Sequence, residues 1–360
     1  MSESEPPYPA WGDAGRAAIA PLASSGFSGS SLFRLQRPDG TNWVLKSFGP
    51  HTSLPRAQWI HALMAHLRAG GLDTVPRVAS VHGTGAAATG DTVVRGPGGE
   101  LWELVEYMPG VPRRAPSATE AAAALSELSR LHAVAATLPG AEAAVEPSTG
   151  VDRRRDQAGR MLASPWRDLE ASAGVDGALD DARSRLLTAV EIFETSNGRA
   201  ALESIAAVGR LTVRTQPVLR DIWCDHVLFD AGGRPCGFID FHSAGRDTTA
   251  VDVARLLGSW DATPVATLSS SPSVTDRWPS AIAACAQGRE PEPRERLLID
   301  WLHASAVICG LDNWFGWLIR DRRQFDDRQR VLARMDRLIA ELAGALHLVR
   351  DIRPGPRLTP

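Results

Sequence analysis

The chain has 360 residues, 44% of them hydrophobic and 22% charged, with a formal net charge of −3. That length and apolar content suffice for one large or two modest domains. The near-neutral balance excludes the basic footprint expected of a partner for nucleic acid or an acidic membrane surface. The start, MSESEPPYPAWGD, lacks the basic residues and apolar run of a signal peptide, and no apolar stretch is long enough to span a bilayer. Cys224, Cys236, Cys285 and Cys309 have neither C-x-x-C spacing nor a paired-His pattern, so a cytoplasmic protein with reduced thiols is expected.

Residues 1 to about 12, rich in Pro, Ser and Glu, read as a loose tail. From Gly26 the chain runs GFSGSSLFRLQRPDGTNWVLKSF: a small-residue loop, a strand from Leu32 to Gln36, a turn at Pro38-Asp39-Gly40, and a strand from Asn42 to Phe48. The loop is either an ordinary hairpin turn or a place where the backbone N–H groups and hydroxyls of Ser28, Gly29 and Ser30 lie over phosphates. Of the 39 basic residues, Lys46 is the single lysine and all others are arginine. A GC-rich genome explains the missing lysines but not the one that stays. Arginine cannot replace lysine where a compact ammonium fits between phosphate oxygens, which makes Lys46 a candidate for that role beside the alternative of chance survival.

A helix follows, with Ser53 as N-cap, Pro55 in its first turn and Trp59, Leu63 and Leu67 on one face. No acidic residue stands between Leu54 and Gly70, where Gln58 and His61 are the nearest substitutes for one. Val75 to Val78 and Val93-Val94 read as further strands, and Leu101 to Met108 as a strand stopped by Pro109-Gly110. Ser117 and Glu120 form a capping box opening a helix with a buried stripe of Leu125, Leu128, Leu131 and Ala135; His132 on it is expected to be a satisfied core side chain. Residues 139–180 read as broken helical stretches, followed by helices over 179–193 and 200–208 and a short strand at 211–213.

The stretch from Leu219 to Phe241, LRDIWCDHVLFDAGGRPCGFIDF, carries the chemistry. It reads as a loop with Asp221, then a hairpin of Val227–Phe229 and Gly237–Ile239 centred near Gly233, placing Val227 opposite Ile239 and His226 opposite Asp240. Carboxylates gathered at a strand end suit a site that holds a metal and positions a nucleophile. The alternative is a buried hairpin with acidic turn residues. Beyond it, Val253, Leu256, Leu257 and Trp260 suit a buried helix with Asp252 near its start, and residues 261–293 are loop-rich. In a later helix Trp301, Trp314 and Trp317 are core or acceptor-pocket residues, and Asp312 and Asp321 are solvated or bind a cationic acceptor. Val331, Met335, Leu338, Leu342 and Ala345 mark a last packing helix before a loose tail, 351–360.

Leu219-Arg220-Asp221, His226, Ile239-Asp240-Phe241 and Asp252-Val253-Ala254 resemble the H-G-D-x-x-x-x-N, I-D-aromatic and D-L-A motifs of the aminoglycoside phosphotransferase and choline kinase branch of the protein-kinase-like fold. The resemblance covers residues 26–254 and implies an α+β, two-lobed fold: a small β-rich lobe over 1–108, a helical lobe over 109–350 and the tail. It implies transfer of the γ-phosphoryl of ATP or GTP to a hydroxyl of a small molecule, with Mg²⁺ or Mn²⁺. Asp221 would then take or orient the acceptor proton, Asp240 and His226 would hold metal, and Lys46 and the loop would hold phosphates. Glu106 and Met108 would present backbone groups to the base at the hinge, and Asp252 would brace the catalytic loop. Three departures stand out: Leu219 for the usual His, His226 for the usual Asn, and the absent helix Glu. At His226, either Asp225 turns inward instead, or the imidazole bonds to Asp221, or one metal suffices. The departures leave open a pseudokinase-like protein that binds a nucleotide or metabolite without turnover.

Overall fold

The structure, a computed structural model, describes residues 6–12, 18–22, 31–81, 92–172, 179–261, 273–285, 293–325, 327–352 and 357–358. Strands β1 (Ala18–Pro21), β2 (Leu32–Gln36) and β3 (Asn42–Ser47) lie antiparallel, helix α1 (Leu54–Ala69) follows, and β4 (Val93–Arg95) and β5 (Leu101–Glu106) complete a sheet in the order β1-β2-β3-β5-β4. Side chains alternate across a sheet. Leu35, Leu45, Trp102 and Leu104 therefore share one face, whereas Lys46 and Glu103, opposite each other in register, share the face toward α1. The first face is covered by Trp11, 1% exposed, in a short 3₁₀ turn over Tyr8–Trp11. The start of the chain is thus not all loose: an indole there buries enough apolar area, about 25 cal/mol per Å², to hold the turn on an otherwise open sheet face.

After β6 (Val111–Pro112) comes α2 (Ala118–Ala135), opened by the Ser117–Glu120 capping box and buried at Leu125, Leu128, Leu131 and Ala135. Next are β7 (Ala144–Pro147), α3 (Thr149–Ala163), α4 (Trp166–Ser172), α5 (Asp180–Thr195), α6 (Gly198–Ala206) and β8 (Thr212–Val218). The hairpin β9 (Val227–Phe229) and β10 (Pro235–Phe238), then β11 (Gly245–Asp247) and α7 (Thr249–Leu257), carry the site residues. Helices α8 (Val274–Arg277), α9 (Pro279–Cys285), α10 (Pro293–Phe315) and α11 (Arg328–Asp351) and strand β12 (Arg357–Leu358) complete the described elements. Among the described residues no helix is long and apolar enough to cross a membrane.

Several expectations are corrected. Val227 pairs with Phe238 and not Ile239, and His226 faces Ile239 and not Asp240: the pairing of Phe229 with Pro235 centres the turn on Gly232, two residues of register from the expected pairing, and the bulge between Pro235 and Gly237 restores one of them. Residues 144–147 form a strand inside a stretch expected to be helical: AVEP has little strand character of its own and is ordered by pairing with β8. The tail is not wholly loose, since 357–358 pair in parallel with the same strand. Val75 to Val78 contributes a single bridge, Val78 to Val105, and the loop-rich 261–293 contains α8 and α9. Trp301 is fully buried, and Trp314, Trp317 and Phe325 pack edge to face, so these tryptophans belong to the core.

Candidate active site

The catalytic loop hangs on one buried carboxylate. Asp252, fully buried on α7, accepts from the backbone N–H of Leu219 at 2.8 Å and of Arg220 at 2.6 Å, and its Oδ2 lies 2.8 Å from His132 Nε2. It is not the helix cap, because Thr248 fills that place through Ala250 N–H. Arg220 has φ 65°, a left-handed conformation that costs a non-glycine residue about 1–3 kcal/mol; the two bonds to Asp252 hold it there. The outcome is an Asp221 side chain 45% exposed, with Oδ1 accepting from Arg255 Nη2 at 2.6 Å and Nε at 3.1 Å. Arg255 escaped the sequence reading. Its place three residues after Asp252, on the same helix face, was the available signal.

The nucleotide side is built differently. Lys46 Nζ lies 2.7 Å from Asp240 Oδ1, a residue 194 positions away. Where a helix carboxylate was sought, α1 offers His61, bonded to Thr92 Oγ1 at 2.7 Å and to Glu103 Oε2 at 2.7 Å. The other oxygen of Glu103 meets His242 Nε2 at 2.8 Å, and that ring stacks on Phe48 with centroids 4.3 Å apart. Burial raises the Glu103 carboxyl, but His242 and His61 outweigh it and hold the group well below the usual carboxylate range. So the helix carries the base and the strand the acid. Neither Glu103 nor His242 stood out in the sequence.

Asp240 sits just past β10 with φ 64°. Burial opposes its ionisation, yet Lys46, His226 and His242 together hold it well below its ordinary value. His226 Nδ1 is 2.9 Å from the main-chain oxygen of Asp221. A carbonyl only accepts, so Nδ1 carries a proton, and Nε2 faces Asp240 Oδ2 at 3.7 Å. In its neutral form such a ring offers Nε2 beside a carboxylate, a pair of donors that suits a divalent cation. Asp225 does not turn toward Asp240: its Oδ2 is held by Arg330 Nη2 at 2.5 Å. Among the described residues no group of three or more His, Cys, Asp or Glu is arranged for a metal. Cys224 is no rival nucleophile, since burial pushes its thiol up.

Ser28, Gly29 and Ser30 lie outside the described residues. The base of that loop is fixed where Ser31 N–H donates to Ser47 Oγ at 2.9 Å and Ser47 N–H to Ser31 O at 3.1 Å, next to Lys46. At the hinge, the Glu106 carboxylate is taken by Arg77, with Oε1 2.8 Å from Nη2. Met108 is buried; a Cβ added to Gly237 would come within 3.0 Å of its Cβ. Gly110, with φ 106°, packs so closely on Phe229 O that only glycine fits. Asp312 is no acceptor ligand: Gln157 and Trp166 both donate to it.

Comparison with known proteins places this geometry. A homoserine kinase of Cupriavidus pinatubonensis (strain JMP 134 / LMG 1197) is 27% identical over 242 residues, 66% of this chain; the match spans 63% of that relative's length. A spectinomycin phosphotransferase solved in complex with ADP and spectinomycin superposes with TM-score 0.60 at 8% identity, covering 92% of this chain and 93% of that one. An aminoglycoside phosphotransferase from Alicyclobacillus acidocaldarius subsp. acidocaldarius DSM 446 gives TM-score 0.56 at 13% identity, covering 91% of each. The shared architecture is the mixed α+β, protein-kinase-like fold. The model of the phosphotransferase enzyme family matches residues 20–271, from β1 through Lys46, the catalytic loop and α7, and the chain belongs to that family.

Proposed function

We propose that this protein transfers the γ-phosphoryl group of ATP or GTP to a hydroxyl of a small molecule. The observation that supports it most is the convergence of Lys46, Asp240 and His226 next to an Asp221 held on a braced loop. Asp221 would accept the acceptor's proton, with Arg255 fixing one carboxylate oxygen so that the other is aimed at the hydroxyl. Asp240 and His226 Nε2 would hold a divalent cation, Mg²⁺ or Mn²⁺, whose charge would offset that of the phosphates. Lys46 would exchange Asp240 for the nucleotide phosphates. The loop at Ser28, Gly29 and Ser30 would cover them, and the backbone of Glu106 and Met108 would meet the base. Residues 1–108 and 109–350 would act as the two lobes. Chemistry of this type is mainly positioning and electrostatics, so these few groups suffice. A cytoplasmic location, where nucleotide and free thiols coexist, fits this reading.

One observation favours a second reading, a nucleotide-binding protein without turnover: Lys46 is held by the metal-loop carboxylate and no helix carboxylate draws it away. Thermal unfolding with ATP, GTP or ADP, with and without Mg²⁺ or Mn²⁺, tests the site, because a ligand of the folded state raises the midpoint. A metal-dependent rise in wild type that is lost in Asp240→Asn is expected, with ADP release once an acceptor is supplied. No rise in folded protein would overturn the site, and a rise without turnover of any acceptor would favour the second reading.

A further inference from the structure

Next to the catalytic loop lies a cavity of about 260 Å³ to which the reaction above assigns no role. The loop contributes Trp223 and Asp225 to its wall, and Arg114 and Asp261 close one side. Helix α11 contributes Arg330, Arg334 and Arg337, spaced four and three residues apart so that one helix face delivers three guanidiniums. Among the described residues the lining thus holds four guanidiniums and two carboxylates. The carboxylates are engaged: Asp225 by Arg330 at 2.5 Å and Asp261 by Arg337 at 3.2 Å. Asp221, two residues before Trp223, is engaged by Arg255.

Trp223 makes this charge rigid. The Arg334 guanidinium lies 3.4 Å from its ring centroid and that of Arg255 4.6 Å, so cation–π contacts fix two planar donors beside the catalytic carboxylate. Burial, with Arg255 and Arg337 close by, pushes the Arg334 guanidinium well below its ordinary value. Like charges collected in a partly desolvated wall repel, and a cationic occupant would add to that repulsion. An anion with planar or tetrahedral oxygens relieves it and matches the forked donors.

We propose that this cavity is the acceptor subsite, and that the acceptor is a small hydroxylated molecule bearing an anionic oxyacid group. That group lies among Arg114, Arg334 and Arg337, and the hydroxyl reaches toward Asp221. The inference rests on the phosphotransferase reading and deepens it by naming the acceptor's class. The volume is below the range usual for drug-sized ligands, about 300–1,000 Å³, which argues for an acceptor much smaller than an aminoglycoside.

The test reads unfolding midpoints of the full chain, first with ADP and Mg²⁺ alone. It then adds L-homoserine, glycerate or glycerol 3-phosphate, each against a counterpart that lacks the acid group (homoserine amide, glyceramide, glycerol), and finally the polycation kanamycin. The nucleotide step comes first: its failure overturns the phosphotransferase reading, whereas the acid step judges the subsite. At least one acid should raise the midpoint where its counterpart and kanamycin do not. A response to homoserine or glycerate assigns a carboxylate, and one to glycerol 3-phosphate a phosphate. Arg334→Met and Arg114→Gln should each weaken the acid by about tenfold or more, the scale of a lost charged hydrogen bond. If Arg334→Met does not fold, the exposed Arg114 decides. Equal shifts from acid and counterpart, no shift from any acid, a larger shift from kanamycin, or unchanged acid affinity in the folded variants would each overturn the proposal.

Discussion

The two sides of the site are held together by different chemistry. On the acceptor side, backbone N–H groups of Leu219 and Arg220 converge on a fully buried Asp252. Backbone donors do not titrate, and here they supplement two ionisable pairs, Asp252 with His132 and Asp221 with Arg255. On the nucleotide side every principal contact joins ionisable side chains: Lys46 with Asp240, His61 and His242 with Glu103. These pairs can be exchanged for phosphate or metal without breaking a strand or helix. On the proposed reading the contrast teaches that such a site would keep its base rigid and its phosphate contacts exchangeable, with α1 contributing His61 to Glu103 and no carboxylate to Lys46.

The largest expected effect breaks the acceptor side alone. Asp221→Asn should slow phosphoryl transfer by about 10²–10⁴-fold, the range for a lost general base, while the nucleotide-induced rise in midpoint stays; single-turnover transfer and thermal shift read the two halves separately. Full activity in the variant would remove Asp221 from the mechanism.

Asp252→Ala attacks the brace. It strands two backbone donors and His132, at about 1–3 kcal/mol for each buried group left without a partner, so urea unfolding should show a loss of roughly 3 kcal/mol or more. A loss under about 1 kcal/mol would mean the brace is not what holds the loop.

Glu103→Gln sharpens the contrast from the other side. Because its folded carboxyl lies below the ordinary 4.5, the pairing with His242 and His61 stabilises the protein fully above that value and is lost as pH falls below it. The wild type should therefore exceed the variant in midpoint at pH 7, and the gap should shrink on acidification below pH 4.5. A gap that widens toward acid would reverse the sign and refute the pairing.

The smallest change is expected from His226→Asn. An amide oxygen is a better Mg²⁺ ligand than imidazole, so Mg²⁺-dependent turnover should be kept or rise, and the preference for Mn²⁺ should weaken. Collapse of activity would show that the imidazole's bond to the Asp221 carbonyl matters more than its place near the metal.

Much of this was legible where the signal is local. The strands 32–36 and 42–47, the capping box at Ser117 and the packing face of α11 follow from periodicity and end chemistry over a few residues. Asp221, Asp240 and Asp252 were marked by their resemblance to the family's motifs, and the structure brings Asp240 to Lys46 and Asp252 to the backbone just before Asp221. What stayed hidden depends on distant partners. Lys46 finds Asp240 across 194 residues and Glu103 finds His242 across 139, separations over which no local pattern carries information. The one-residue slip in the hairpin came from a turn centred on Gly232 and not Gly233, offset in part by a bulge near Cys236, neither of which an alternating pattern reveals. Strands β7 and β12 likewise owe their existence to β8, not to their own composition.

The central claim is that Lys46, the one lysine among thirty-nine basic residues, is retained because its compact ammonium serves both Asp240 and a nucleotide phosphate. The direct measurement is calorimetric titration of a non-hydrolysable ATP analogue with Mg²⁺ into wild type and Lys46→Arg, a change that keeps the charge. The account predicts a folded variant whose affinity falls by about tenfold or more, since a planar guanidinium cannot take the same place. Equal affinity in the two proteins would contradict it.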